Sequence, residues 1–133
     1  MDKQILQSAL AEYFAPWVQA LALQVEGFDA DSVTLRLPQD AQLSRVGGMV
    51  CGQAMMAAAD TAMVLALINH FGQFRPCTTV QMNTSFLKPL SQDALVQARV
   101  LRAGKALAFG EIDIRGADDG KSVSRSSTTY ALL

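Results

Sequence analysis

The chain has 133 residues, half of them hydrophobic, with a formal net charge of -1, which suits one globular domain over residues 1–133 with a modest core and leaves no room for two. Its Lys and Arg are scattered, so there is no concentrated basic face of the kind that binds nucleic acid or an anionic membrane surface. One His, and two Cys at positions 51 and 77 without metal-ligand spacing, argue against a zinc site and read as free thiols; no metal or redox cofactor is implied.

In chain order, Ile5, Leu6, Ala9, Leu10 and Tyr13 recur at helical spacing and predict an amphipathic helix over residues 3–15, bending or stopping at Pro16. This N-terminal stretch lacks the continuous apolar core of a signal peptide, and the expected location is the cytoplasm. Alternation then takes over: Leu21, Leu23 and Val25 predict one strand and Val33, Leu35 and Leu37 the next, with a turn from Gly27 to Asp31. Pro38 to Gly48 is polar and glycine-containing, a connection. A long helix begins near Cys51 and ends near Asn69 to Gly72, with Gly72 as its C-terminal cap. Four strands follow, at about 78–88, 93–103, 106–116 and 121–131, turning at Gly104-Lys105 and Asp118-Asp119-Gly120. The expected class is α+β, an antiparallel sheet with a long central helix packed against it and an amphipathic helix at the N-terminus.

The long helix holds the residue that most needs explaining. Between Gly52 and Ile68 the only charged residue is Asp60, in a run otherwise apolar all round and, by length and interruption, short of a membrane span. Met56, Ala57, Met63, Val64 and Leu67 share its face by spacing. A buried carboxylate costs several kcal/mol unless something compensates it. It is therefore a candidate functional group; the alternatives are an ion pair within an interface, or a rim position where Asp60 and Thr61 reach water.

Three segments carry a resemblance: Arg45-Val46-Gly47-Gly48-Met49-Val50-Cys51-Gly52-Gln53, Ala59-Asp60-Thr61-Ala62, and Thr78-Thr79-Val80-Gln81-Met82-Asn83-Thr84-Ser85-Phe86-Leu87-Lys88-Pro89. From about residue 20 onward the chain resembles the hotdog-fold acyl-CoA thioesterases, specifically the subgroup related to phenylacetic acid degradation, called PaaI-like. The resemblance implies a hotdog fold, hydrolysis of an acyl-coenzyme A substrate, and a homodimer that often pairs into a homotetramer, with active sites at the dimer interface. It implies Asp60 as the catalytic acid, Gly52 as the residue whose backbone N–H faces the thioester carbonyl, and Thr79 as the hydroxyl that helps hold the attacking water; β-branched Thr also simply suits a strand. Around Gly52, the positions of Arg45, Cys51 and Gln53 are taken as substrate-binding. They depart from the family pattern of Asn, His and Gly respectively.

Cys51 at a helix start could be a nucleophile, or a small packing residue, since no base is evident beside it. His70 at the helix C-terminus suits the dipole. Tyr13, Phe14 and Trp17 either line an acyl pocket or pack the N-terminal helix. Arg45, Lys88, Arg99, Arg102 and Lys105 are the cations available for coenzyme A phosphates.

A geometric argument stands beside the resemblance. Gly52 and Asp60 are eight residues apart, roughly 12 Å along a helix, more than an Asp side chain can close. If both serve one carbonyl, a two-fold dimer must bring Asp60 of one chain to Gly52 of the other. Asp60 would then act as general base on water or as nucleophile. Two other readings remain: a non-catalytic acyl-thioester-binding or sensor module, and a structural oligomer in which Asp60 pairs with a cation.

Overall fold

The computed structural model describes residues 1–133, in the order α1 (Lys3–Glu12), α2 (Pro16–Gln19), β1 (Gln24–Phe28), β2 (Ser32–Leu37), α3 (Gly52–Phe71), β3 (Cys77–Phe86), β4 (Ala94–Ala103), β5 (Leu107–Gly116) and β6 (Ser122–Leu132). The six strands form one antiparallel sheet in the order β1-β2-β4-β5-β6-β3, and it wraps around α3. This is the hotdog architecture that the motifs imply.

Close approach of α3 to the sheet follows from small residues on both sides. Ala54, Ala58, Ala59, Ala62 and Ala66 of α3 are buried, as are Ala94, Ala98 and Ala108 of the sheet. At Gly110 the fit is tightest, because a Cβ there would lie 2.2 Å from Met63 Sδ and 3.0 Å from the Arg99 carbonyl oxygen. The helix ends where Gly72 takes φ 77 and its N–H donates to the Ile68 carbonyl. By length and composition alone α3 could cross a membrane, against the expectation from the shorter run, but eleven of its twenty residues are buried and its apolar surface serves the core.

Two local expectations need correction. Pro16 does not merely stop the first helix; it opens α2 at a first-turn position, where its missing N–H costs nothing. The first strand starts three residues later than expected because the chain leaving α2 is still turning at Leu21 and Ala22, whose N–H groups donate to the Val18 and Gln19 carbonyls. Ala22 takes φ 58, and the strand then runs on through Gly27 and Phe28 past a bulge between Val25 and Gly27. Leu21 and Leu23 are buried all the same, ahead of the strand.

Candidate active site

Asp60 sits on the flank of α3 that faces β3 and β6, partly exposed rather than enclosed. Its Oδ1 accepts two hydrogen bonds, from the Tyr130 hydroxyl at 2.5 Å and from Thr79 Oγ1 at 2.9 Å. The donors are neighbours because Thr79 and Tyr130 are directly paired across β3 and β6, both pointing toward the helix. Oδ2 accepts no hydrogen bond from the protein, so one carboxylate oxygen is anchored and the other is available.

Tyr130 is 1% exposed. Burial, then the Asp60 charge and the hydrogen bond to it, push its pKa far above the ordinary tyrosine range. Its hydroxyl is therefore a permanent donor. Tyr130 was not among the sequence candidates. The available signal was its place as the one large polar residue in the alternating series Ser124, Ser126, Thr128, Tyr130, and a buried tyrosine hydroxyl usually needs a partner.

Thr79 is placed beside Asp60, though its hydroxyl proton points at the carboxylate; toward a water it has only lone pairs to offer. No Lys or Arg pairs with Asp60, and the compensation for its partial burial comes from the two hydroxyls. Cys77, at the start of β3, also feels this charge: burial first, then Asp60, push its thiol pKa up, which keeps it unreactive.

At the other end of the site, Cys51 is the N-cap of α3 in extended backbone and gives no side-chain hydrogen bond to the helix. No acidic residue lies in the first turn. The first N–H groups of α3, beginning with Gly52, thus have no intrahelical partner or capping side chain and carry the positive end of the dipole. Gly52 packs against the Phe86 ring, where a Cβ would approach Cζ to 3.2 Å. Beside it opens a cavity of about 550 Å³ lined by Arg45, Met49, Gly52, Met55, Phe86 and Lys88, among others.

The structure thus brings Arg45 to Gly52 and Thr79 to Asp60, but keeps the two groups apart along α3. Gln53 is exposed on the first turn and outside the cavity lining. Cys51 is half-buried against the core, and the sole His, His70, lies in the last turn of α3 with its ring edge against Phe71. No base adjoins the thiol. We expect Cys51→Ala to retain most activity; an acyl adduct trapped on Cys51 by mass spectrometry, with activity lost in the variant, would make it the nucleophile instead.

Tyr13 stacks on Phe74 at 3.9 Å, near the C-terminal end of α3, and Trp17 is 64% exposed. Neither lines the opening beside Gly52 of its own chain. Of the five cations considered, Arg99 lies among Glu111, Asp113 and Arg125 in a separate depression, and Arg102 and Lys105 sit at the β4–β5 turn.

The thioesterase superfamily profile matches residues 47–123, which span the Gly-rich loop, α3 and most of the sheet. A protein of Thermoplasma acidophilum named as an esterase is 27% identical over 116 residues, 86% of each chain. Human acyl-coenzyme A thioesterase 13 is 34% identical over a shorter span of 59 residues, 43% of this chain and 42% of that one. A solved thioesterase of Haemophilus influenzae superposes with a TM-score of 0.88 over all of this chain and 91% of its own, at 19% identity, a likeness of fold. With the profile covering more than half its length and the same helix-in-sheet architecture around Asp60, the chain belongs to the thioesterase superfamily.

Proposed function

We propose that the protein hydrolyses an acyl-coenzyme A thioester to a free acid and coenzyme A, in the cytoplasm, at a site completed by two chains. The observation that carries this reading is the Asp60 carboxylate, held through Oδ1 with Oδ2 free, on a helix whose N-terminus at Gly52 is uncapped. A thioester carbonyl resting on the Gly52 N–H would have its developing oxyanion at the positive end of α3, where a side chain cannot obstruct it.

With Asp60 as base, Oδ2 takes a proton from water as the water oxygen attacks the carbonyl carbon. The oxyanion collapses, the C–S bond breaks, and the thiolate leaves to take up the proton. With Asp60 as nucleophile, Oδ2 itself attacks, the thiolate leaves, and water cleaves the resulting anhydride. Both routes need the same free oxygen.

A second chain is supported by the character of β3. It ends the sheet, runs for ten residues and contains no charge or proline to protect the edge, and beyond one irregularity between Thr79 and Gln81 it pairs regularly as far as Phe86. Val80 is 59% exposed along it, and Met56, beside Asp60 on α3, is 36% exposed. The opposite edge, β1, is half as long and bears the charged Glu26. Antiparallel pairing of β3 with β3 of a second copy would continue the sheet about a two-fold axis, cover this strip and bring each Asp60 toward the other chain's Gly52. The subgroup resemblance extends this to a pair of dimers.

The test is a hydrolysis screen over straight-chain, branched and aromatic acyl-coenzyme A thioesters, with release of free thiol as the readout and Asp60→Asn as control. Turnover of none of them would sink the reading. Tyr130 is a positioning residue in this scheme. Tyr130→Phe should lower kcat about tenfold, the scale of a lost hydrogen bond to a charged group, with KM nearly unchanged. A KM rise with kcat intact would instead mean that Tyr130 only shapes the pocket.

A further inference from the structure

The cavity beside Gly52 has two cations on an otherwise apolar lining. Val50, Met55, Phe86, Leu87 and Pro89 supply apolar surface, while Arg45 and Lys88 supply charge. Their convergence is built into the backbone. The Arg45 loop closes on itself, with the Arg45 N–H donating to the Met49 carbonyl at 2.8 Å and Gly48 N–H to the Arg45 carbonyl at 3.0 Å. It turns at Gly47 and Gly48, whose φ values of 100° and 81° side chains rarely adopt. The Val50 N–H then donates to the Leu90 carbonyl at 2.8 Å, tying this loop to the segment that bears Lys88.

Neither cation has a carboxylate within ion-pairing distance. Asp119 is close enough to Lys88 to feel its charge without pairing. The uncapped start of α3 adds to the positive potential. An aliphatic or aromatic hydrocarbon acyl group would need none of this charge.

We propose that this cavity receives an anionic oxygen group of the substrate, bound by Arg45 and Lys88, and that the group is a carboxylate carried on the acyl chain. The inference rests on the thioesterase reading, in which the carbonyl sits at Gly52. Coenzyme A offers anionic oxygens too, but its phosphates are separated from the sulfur by the whole pantetheine arm. Arg45 and Lys88 border the same small cavity as Gly52. A short acyl chain fixed by its carbonyl at one end would cross the apolar lining and deliver a terminal carboxylate to the cations. Arg45, with a planar fork of donors, suits a carboxylate well.

The experiment compares kcat/KM for dicarboxylic monothioesters of four and five carbons with neutral acyl thioesters of matched length. Each pair is made on coenzyme A and on N-acetylcysteamine, a thiol without phosphates. The wild-type protein should prefer the carboxylate-bearing member on both carriers. Arg45→Gln and Lys88→Gln should each reduce that preference about tenfold, the order expected for a charge-assisted hydrogen bond, mainly through KM. Losses equal for charged and neutral acyl groups, present on coenzyme A and absent on N-acetylcysteamine, would overturn the acyl carboxylate and make the phosphates the bound anion. Unchanged kinetics in both variants on all four substrates would remove the anion site altogether. Binding of a carboxyalkyl thioether of coenzyme A, measured by calorimetry, separates this from the reaction. If no thioester is hydrolysed yet thioether binding depends on Arg45 and Lys88 and on the carboxylate, the anion site stands and the hydrolase reading falls.

Discussion

Asp60→Asn should fold like the wild type and lose about a hundredfold or more in kcat, the scale of losing a general base or nucleophile. The substitution is unusually clean here. An amide oxygen can still accept from Tyr130 and Thr79, as Oδ1 does at 2.5 and 2.9 Å, so only the charge and the reactive oxygen are removed. Because the two hydroxyls already compensate the carboxylate, thermal stability should change little, by about 1 kcal/mol or less. Turnover near the wild-type level on a substrate found in the screen would take Asp60 out of the chemistry, and a fall in melting temperature with the loss would assign it a structural role.

The second large effect is a gain. Asp60→Asn lacks the carboxylate, while Gly52→Leu forces a side chain against Phe86, whose ring would meet even a Cβ at 3.2 Å, and obstructs the carbonyl's approach to the helix N-terminus. Each variant alone should be inactive. In a mixed dimer one site carries both defects and the other neither, so subunit exchange should restore up to about half of the wild-type activity per heterodimer, by the symmetry of a two-fold interface. The measurement is activity after mixing, with exchange verified by native mass spectrometry. Exchange without recovery would refute the shared site and leave Asp60 to act with donors of its own chain.

Much of this arrangement was legible in the sequence because it depends on local signals. The lone charge in an apolar helical run singles out Asp60, and the glycine after the run fixes the end of α3, observed at Gly72. Alternation with intervening turns placed β4, β5 and β6 within about a residue of their observed bounds. The errors fall where a local rule has two outcomes. Proline stops one helix or starts another, as at Pro16, and glycine marks a turn or a bulge, as at Gly27. Tyr130 was invisible for a different reason. Its contact with Asp60 spans seventy residues of chain, and what creates it is the β3–β6 register, including the irregularity between Thr79 and Gln81. The pairing of Arg45 with Lys88 around one cavity depends likewise on a backbone bond between distant segments.

Gly110 limits how the protein can be engineered. Replacing glycine by alanine is a common route to thermostability, since it restricts the unfolded chain, and a strand-centre glycine is an obvious target. Here the methyl group would collide with the Sδ and Cε atoms of Met63 and lie 3.0 Å from the Arg99 carbonyl oxygen, so Met63, 1% exposed between α3 and the sheet, would have to repack. Asp60 is three residues from Met63 on the same helix, whereas Tyr130 and Thr79 are fixed to the sheet. The packing beneath that part of α3 thus uses the space that a side chain at position 110 would fill. A stabilisation campaign blind to this would trade chain entropy for that packing, and the Met63–Gly110 pair should be varied only together.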